Sequence, residues 1–137
     1  MLLILDTNEY IFAFGLLKDA NCEKLLQVIQ DKYPKHIIRV PRFIVEEVRS
    51  NLSEEVFKEF ILFINTLTSI DEDIVVPFEL GAKYEARGFK PPDAFIAAYT
   101  EWVGADILVT ENRHFLSRQT FLPFKVTTAE KCLHILK

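Results

Sequence analysis

Asp6 directly follows an apolar run, Glu46 and Glu47 stand together in a helical pattern, Asp93 comes just after Pro91-Pro92, and Glu111-Asn112 follow the apolar run Ile107 to Val109. Such side chains can move protons or bind hard cations. Taken singly, each has an ordinary explanation. Asp6 or Asn8 caps a helix, Asp93 sits favourably at a positive helix terminus, and Glu111 is a solvated loop residue. Brought together in one cleft, the acids would repel one another, and a divalent cation would offset that repulsion. Mg²⁺ or Mn²⁺ is the natural ion, because these take carboxylate and water oxygens and the sequence has no Cys/His set with zinc spacing.

The elements that must position these residues follow from the hydrophobic pattern. Leu2 to Leu5 is a continuous apolar run too short for a buried helix and suits a strand covered on both faces. Asp6-Thr7-Asn8 end it and favour a helix start, with Glu9 to Phe14 helical and Gly15 the stop. Asp19 is a cap for the next helix, in which Cys22, Leu25, Leu26, Val28 and Ile29 recur at helical spacing up to Pro34. Ile37 to Val40, closed by Pro41, reads as a second strand, and Phe43 to Leu52 as a helix. Val56, Phe57, Phe60, Ile61, Phe63, Ile64 and Leu67 form a core-facing stripe of period 3.6. Ile74 to Val76 reads as a short strand and Phe78 to Ala86 as a helix ending near Gly88. Asp93 opens a helix to about Val103, stopped by Gly104, before the strand Ile107 to Val109. Lys125 to Thr127 reads as a further strand, and Thr127 with Glu130 as the capping box of a last helix.

Strands alternating with helices predict an α/β fold, a three-layer sandwich with a central, mostly parallel sheet flanked by helices. No internal repeat or linker divides the 137 residues, so one domain is expected over 1–137. Sheets of this type place their sites beyond the carboxyl ends of the strands, where Asp6, the residues after Val40, and Thr110 to Asn112 lie. Lys and Arg total 16 against 20 Asp and Glu, a net charge of −4, so no global positive field draws the chain to nucleic acid. Cys22 and Cys132 lie in apolar helical patterns and read as buried thiols of a reducing compartment. Met1 to Leu5 is too short for a signal peptide or membrane span, which predicts a cytoplasmic location.

Four segments in order carry a resemblance: Leu3-Ile4-Leu5-Asp6-Thr7-Asn8, Glu47-Val48 before Leu52, Asp93-Ala94-Phe95-Ile96-Ala97-Ala98, and Ala105 to Phe115 with Thr110-Glu111-Asn112. Together they resemble the ordered motifs of the PIN-domain ribonucleases across nearly the whole chain. The resemblance implies a metal-dependent endonuclease acting on RNA, commonly the toxin of a toxin–antitoxin pair. Candidate partners are then RNA, an antitoxin protein and a second copy of the chain, with no membrane. Asp6, Glu47 and Asp93 match the first three family acids. Asn112 stands at the fourth, where the family has Asp or Asn, with Glu111 beside it as a further candidate ligand. A neutral Asn adds no charge, so one firmly held metal is expected. Thr7 and Thr110 match family hydroxyl positions and, with Asn8, are candidate supporting residues. Helical projection sets Glu46 on a face with Arg42, Arg49 and Ser50 and sets Glu47 nearer Ile44 and Asn51, favouring Glu47 as the ligand.

An RNA substrate needs basic residues round an acidic pocket. Lys83, Arg87 and Lys90 precede Asp93, and Arg113, His114 and Arg118 follow Asn112; Tyr84 or Phe89 is the candidate stacking face. The ordinary reading is that these cations are solvated. Haloacid-dehalogenase-like phosphatases need a second Asp where Asn8 stands, receiver domains need an acidic pair near the first strand's end, and the scattered glycines form no nucleotide loop. Asn112 keeps open a second reading, a PIN fold without catalysis that serves as an RNA-binding or protein-interaction module.

Overall fold

The computed structural model describes residues 1–118 and 122–136. Strands β1 (Leu2–Leu5), β2 (Ile37–Ile38), β5 (Ile107–Val109) and β6 (Lys125–Thr127) make a four-stranded parallel sheet in the order β2-β1-β5-β6. Leu3, Ile4 and Leu5 pair with Ile107, Leu108 and Val109 in register. All six are buried, which is why these central strands read as unbroken apolar runs. A separate parallel pair joins β3 (Val40–Pro41) to β4 (Ile70–Asp71).

Helices flank the central sheet, completing the three-layer α/β architecture. They are α1 (Thr7–Phe14), α2 (Ala20–Asp31), α3 (Arg42–Asn51), α4 (Glu54–Leu67), α5 (Phe78–Ala86), α6 (Pro91–Trp102), α7 (Arg113–Leu116) and α8 (Ala129–Ile135). α1 packs on α2 and α3, α2 on α8, and α5 on α6. The stripe of α4 buries Phe60, Ile64 and Leu67, while Phe57, Ile61 and Phe63 pack on the core from its edge. The Phe60 ring meets Tyr10 edge-on at 5.0 Å, an arrangement favoured by ring quadrupoles. Gly104 ends α6 with φ +70°, a conformation that costs a side-chain-bearing residue energy.

Four details depart from the sequence reading. The expected strand Ile37 to Val40 is divided at Arg39 between the two sheets, because the Arg39 guanidinium turns to Asp71 through bonds of 2.9 and 3.1 Å. Ile74 to Val76 is not a strand: the partner of β3 is already Ile70–Asp71, and Asp73–Val75 coil into a 3₁₀ turn. Asp73 Oδ1 there accepts from the Phe43 N–H at 2.9 Å, capping α3, whose own N-cap, Pro41, offers no side-chain acceptor. α1 starts at Thr7, before the expected Glu9, because Asp6 is its cap. Finally, Thr127 completes β6 opposite Val109, so Thr128 caps α8 in place of the expected Thr127–Glu130 box.

Candidate functional site

Asp6 stands where β1 ends and α1 begins. Its N–H donates to Val109 O at 2.9 Å, which ties it to the end of β5. Its Oδ1 accepts from the Thr7 N–H at 2.8 Å and its Oδ2 from Thr110 Oγ1 at 2.8 Å, so both oxygens are aimed. Thr7 Oγ1 in turn donates to Glu47 Oε1 at 2.6 Å, drawing the middle of α3 to the first turn of α1. Asp93 lies in the first turn of α6, behind Pro91 and Pro92, and faces Asn112, whose Nδ2 is 3.4 Å from each of its carboxylate oxygens.

These side chains line one cleft of about 240 Å³, formed by Asp6, Thr7, Asn8, Ile11, Glu47, Asn51, Pro92, Asp93, Ile96 and Asn112. Among the described residues its wall carries three carboxylates and no Lys, Arg or His. Burial pushes the Asp6 carboxyl above its ordinary value; the hydrogen bonds from Thr110 and Thr7 oppose this, and the negative charges of Asp93 and Glu47 add to it. Glu46 is exposed, so it is Glu47 that faces the cleft.

Other sequence candidates lie elsewhere. Glu111 is not in the cleft wall: its Oε2 accepts from the Ala129 N–H at the start of α8, 3.1 Å away. Asn112 lines the cleft and the buried Thr110 bonds Asp6, whereas Glu111 is directed to the start of α8. Asn112 Oδ1 accepts from the His114 N–H at 2.9 Å and caps α7. Of the basic residues, Lys83 is held by Glu101 at 3.1 Å, whereas Lys90 and Arg113 are exposed beside Asp93 and Asn112 in the chain. The Arg87 guanidinium lies 5.5 Å from the centre of the Tyr84 ring. Arg118 donates to Arg87 O at 3.1 Å. Tyr84 and Phe89 are not stacking faces: Tyr84 is fully buried with its OH donated to Glu101, and Phe89 is packed against Phe115.

Glu9 escaped the sequence reading. It is 1% exposed, and its Oε1 has no hydrogen-bond partner among the described residues. Burial, with Glu111 as the next contribution, raises its pKa to about 9. The available signal was its place on the buried face of α1, shared with Tyr10 and Ala13.

Three carboxylates around one cleft fit a hard divalent cation in kind. Among the described residues, no three His, Cys, Asp or Glu side chains are already gathered closely enough to grip one.

No family model matches the sequence, and no curated protein matches it. In three dimensions the chain is similar to a crystal structure of VapBC2 from Rickettsia felis bound to a DNA fragment from their promoter. The TM-score is 0.62 and the identity 18%, over 93% of this chain and 97% of that one. At that identity the likeness is one of fold. Among the described residues no helix is long and apolar enough to cross a membrane.

Proposed function

We propose that the protein is a metal-dependent endoribonuclease of the PIN type, hydrolysing RNA phosphodiester bonds as the toxin of a toxin–antitoxin pair. The observation that carries this reading is the cleft wall of three carboxylates without a basic side chain. The motif resemblance and the likeness to a VapBC2 structure support it. Asp6, Glu47 and Asp93 would hold Mg²⁺ or Mn²⁺. When bound, the ion lowers the pKa of water and offsets charge building on the phosphate.

The chain's own contribution is aim. Thr110 fixes one oxygen of Asp6, and Thr7 fixes Glu47. Among the described residues Asp93 has only the long contacts to Asn112, which would leave its carboxylate able to accept the proton of an attacking water. Lys90, Arg113 and Arg87 would meet the phosphates outside the acidic cleft. With Lys83 held by Glu101, Lys90 and Arg113 are the stronger substrate candidates.

Cleavage of a labelled single-stranded RNA with Mn²⁺ or Mg²⁺, against an EDTA control, tests the proposal. Expected is cutting that EDTA stops and that Asp6→Asn and Asp93→Asn abolish. Activity surviving both substitutions would sink the assignment. RNA bound but never cut would favour the non-catalytic module, a reading helped by the capping duty of Asn112.

A further inference from the structure

Asn112 lies between β5 and α7 and is joined to both sides of the cleft. Its surroundings fix which way the side-chain amide points. The His114 N–H meets it at 2.9 Å, and a backbone N–H needs an acceptor, so the carbonyl end faces α7 and the amino end is left for the cleft. There Nδ2 stands 3.4 Å from Oδ1 of Asp93 and 3.4 Å from its Oδ2. The backbone of Asn112 acts as well. Its N–H donates to Thr110 Oγ1 at 3.0 Å, which leaves the single hydroxyl hydrogen of Thr110 for Asp6 Oδ2, 2.8 Å away. One residue thus sends a donor to Asp93 directly and to Asp6 through one hydroxyl.

We propose that Asn112 serves the cleft as a hydrogen-bond donor and not as a metal ligand, a positioning residue that holds Asp93 by its amino group and Asp6 by way of Thr110. Its carbonyl oxygen, the atom a hard cation would take, is turned to the cap of α7. Aspartate at the same position would keep that cap, because Asp and Asn cap helices about equally well, but it would turn an acceptor toward Asp93. Asn112 therefore puts a donor where a fourth acid would add repulsion. Three carboxylates and a neutral amide carry the charge for one divalent ion and leave a second unsupported. The consequence for cleavage rests on the ribonuclease reading; the hold on Asp93 and Asp6 does not.

The test sets Asn112→Ser, which removes the donor without adding charge, against Asn112→Asp, which replaces the donor by an acid. Both keep a capping oxygen for His114, so hydrogen exchange at the His114 amide should stay within about twofold of the parent in each. Mn²⁺ binding is followed by calorimetry, beside kcat and KM on labelled single-stranded RNA. The parent should take one Mn²⁺ per chain. Asn112→Ser should also take one, with affinity within about threefold of the parent, while kcat falls about tenfold, the lower end for a hydrogen bond to a charged group, and KM is nearly unchanged. Asn112→Asp should admit a second Mn²⁺. In the metal-free protein, the side-chain amide resonances of Asn112 should move when Asp93→Ala removes their acceptor. Unmoved resonances, or a loss of Mn²⁺ affinity of tenfold or more in Asn112→Ser, would overturn the proposal. If the parent protein cuts no RNA, the ribonuclease reading fails while those resonances still decide the role of Asn112.

Discussion

Asp71 and Asp6 each stand at the end of a short parallel strand, yet the chain treats them in opposite ways. Asp71 receives the Arg39 guanidinium through two bonds and the Tyr99 hydroxyl at 2.5 Å. Burial works to raise its pKa, but these bonds outweigh it and hold the carboxyl below the usual range. Among the described residues Asp6 receives only a hydroxyl and a backbone N–H, and its charged neighbours are two more acids. Where the acid serves the fold, the sequence supplies a cation of its own; where Asp6, Glu47 and Asp93 meet, it withholds one. On the proposed function, that omission is what an external divalent ion would offset.

If the contrast is real, the cleft acids matter for activity far more than for folding. Asp6→Asn and Asp93→Asn should each reduce kcat/KM on labelled RNA by at least about a hundredfold, the upper end of what removing a group behind a metal ligand costs. Melting should separate the two regions next. Mn²⁺ at about a hundred times its dissociation constant should stabilise the protein by about 2.7 kcal/mol, and Asp93→Asn should abolish the shift. Arg39→Met probes the compensated side. It leaves Asp71 without its cation and should cost about 2 kcal/mol by urea unfolding, with cleavage by the surviving folded protein unchanged. Acid brings out a smaller effect. Because the folded pKa of Asp71 lies below its ordinary 3.8, the stability it contributes is full above that pH and lost as pH falls through the folded value. Asp71→Asn should therefore flatten the acid limb of stability below that pH. Smallest of all, neutralising Arg87 and Lys90 together should weaken RNA binding and reduce the slope of log K against log salt by about 0.7 per lost phosphate contact. Unchanged affinity would remove both from the substrate surface.

The parts of this architecture that local chemistry dictates were open to reading from the sequence. Ile107 to Val109, Lys125 to Thr127 and Phe78 to Ala86 have the bounds that their apolar patterns and flanking breakers suggest. Asp6, Glu47 and Asp93 line one cleft; a strand end and a helix start pointed to Asp6 and Asp93, and the PIN resemblance to Glu47. What stayed hidden depends on partners distant in sequence. Arg39 bends the chain toward a residue 32 positions away. Tyr84 and Phe89 look like free aromatic faces until α6 and Phe115 cover them. Glu111 beside Asn112 reads as one more ligand, but its Oε2 is taken by the Ala129 N–H at the start of α8, 18 residues further along the chain. Glu9 itself was the hardest, because a single carboxyl group in a helical stripe gives no local sign that it will be buried.

The break at Arg39 has an outcome for the protein as a solute. By handing the chain from one sheet to the other after Ile38, it leaves β2, an outer strand of the central sheet, only two residues long. An outer strand of ordinary length would present a row of unpaired amides and carbonyls on which another chain could build a sheet. Here the row stops almost as it starts, so runaway strand addition finds only a two-residue margin to grow from.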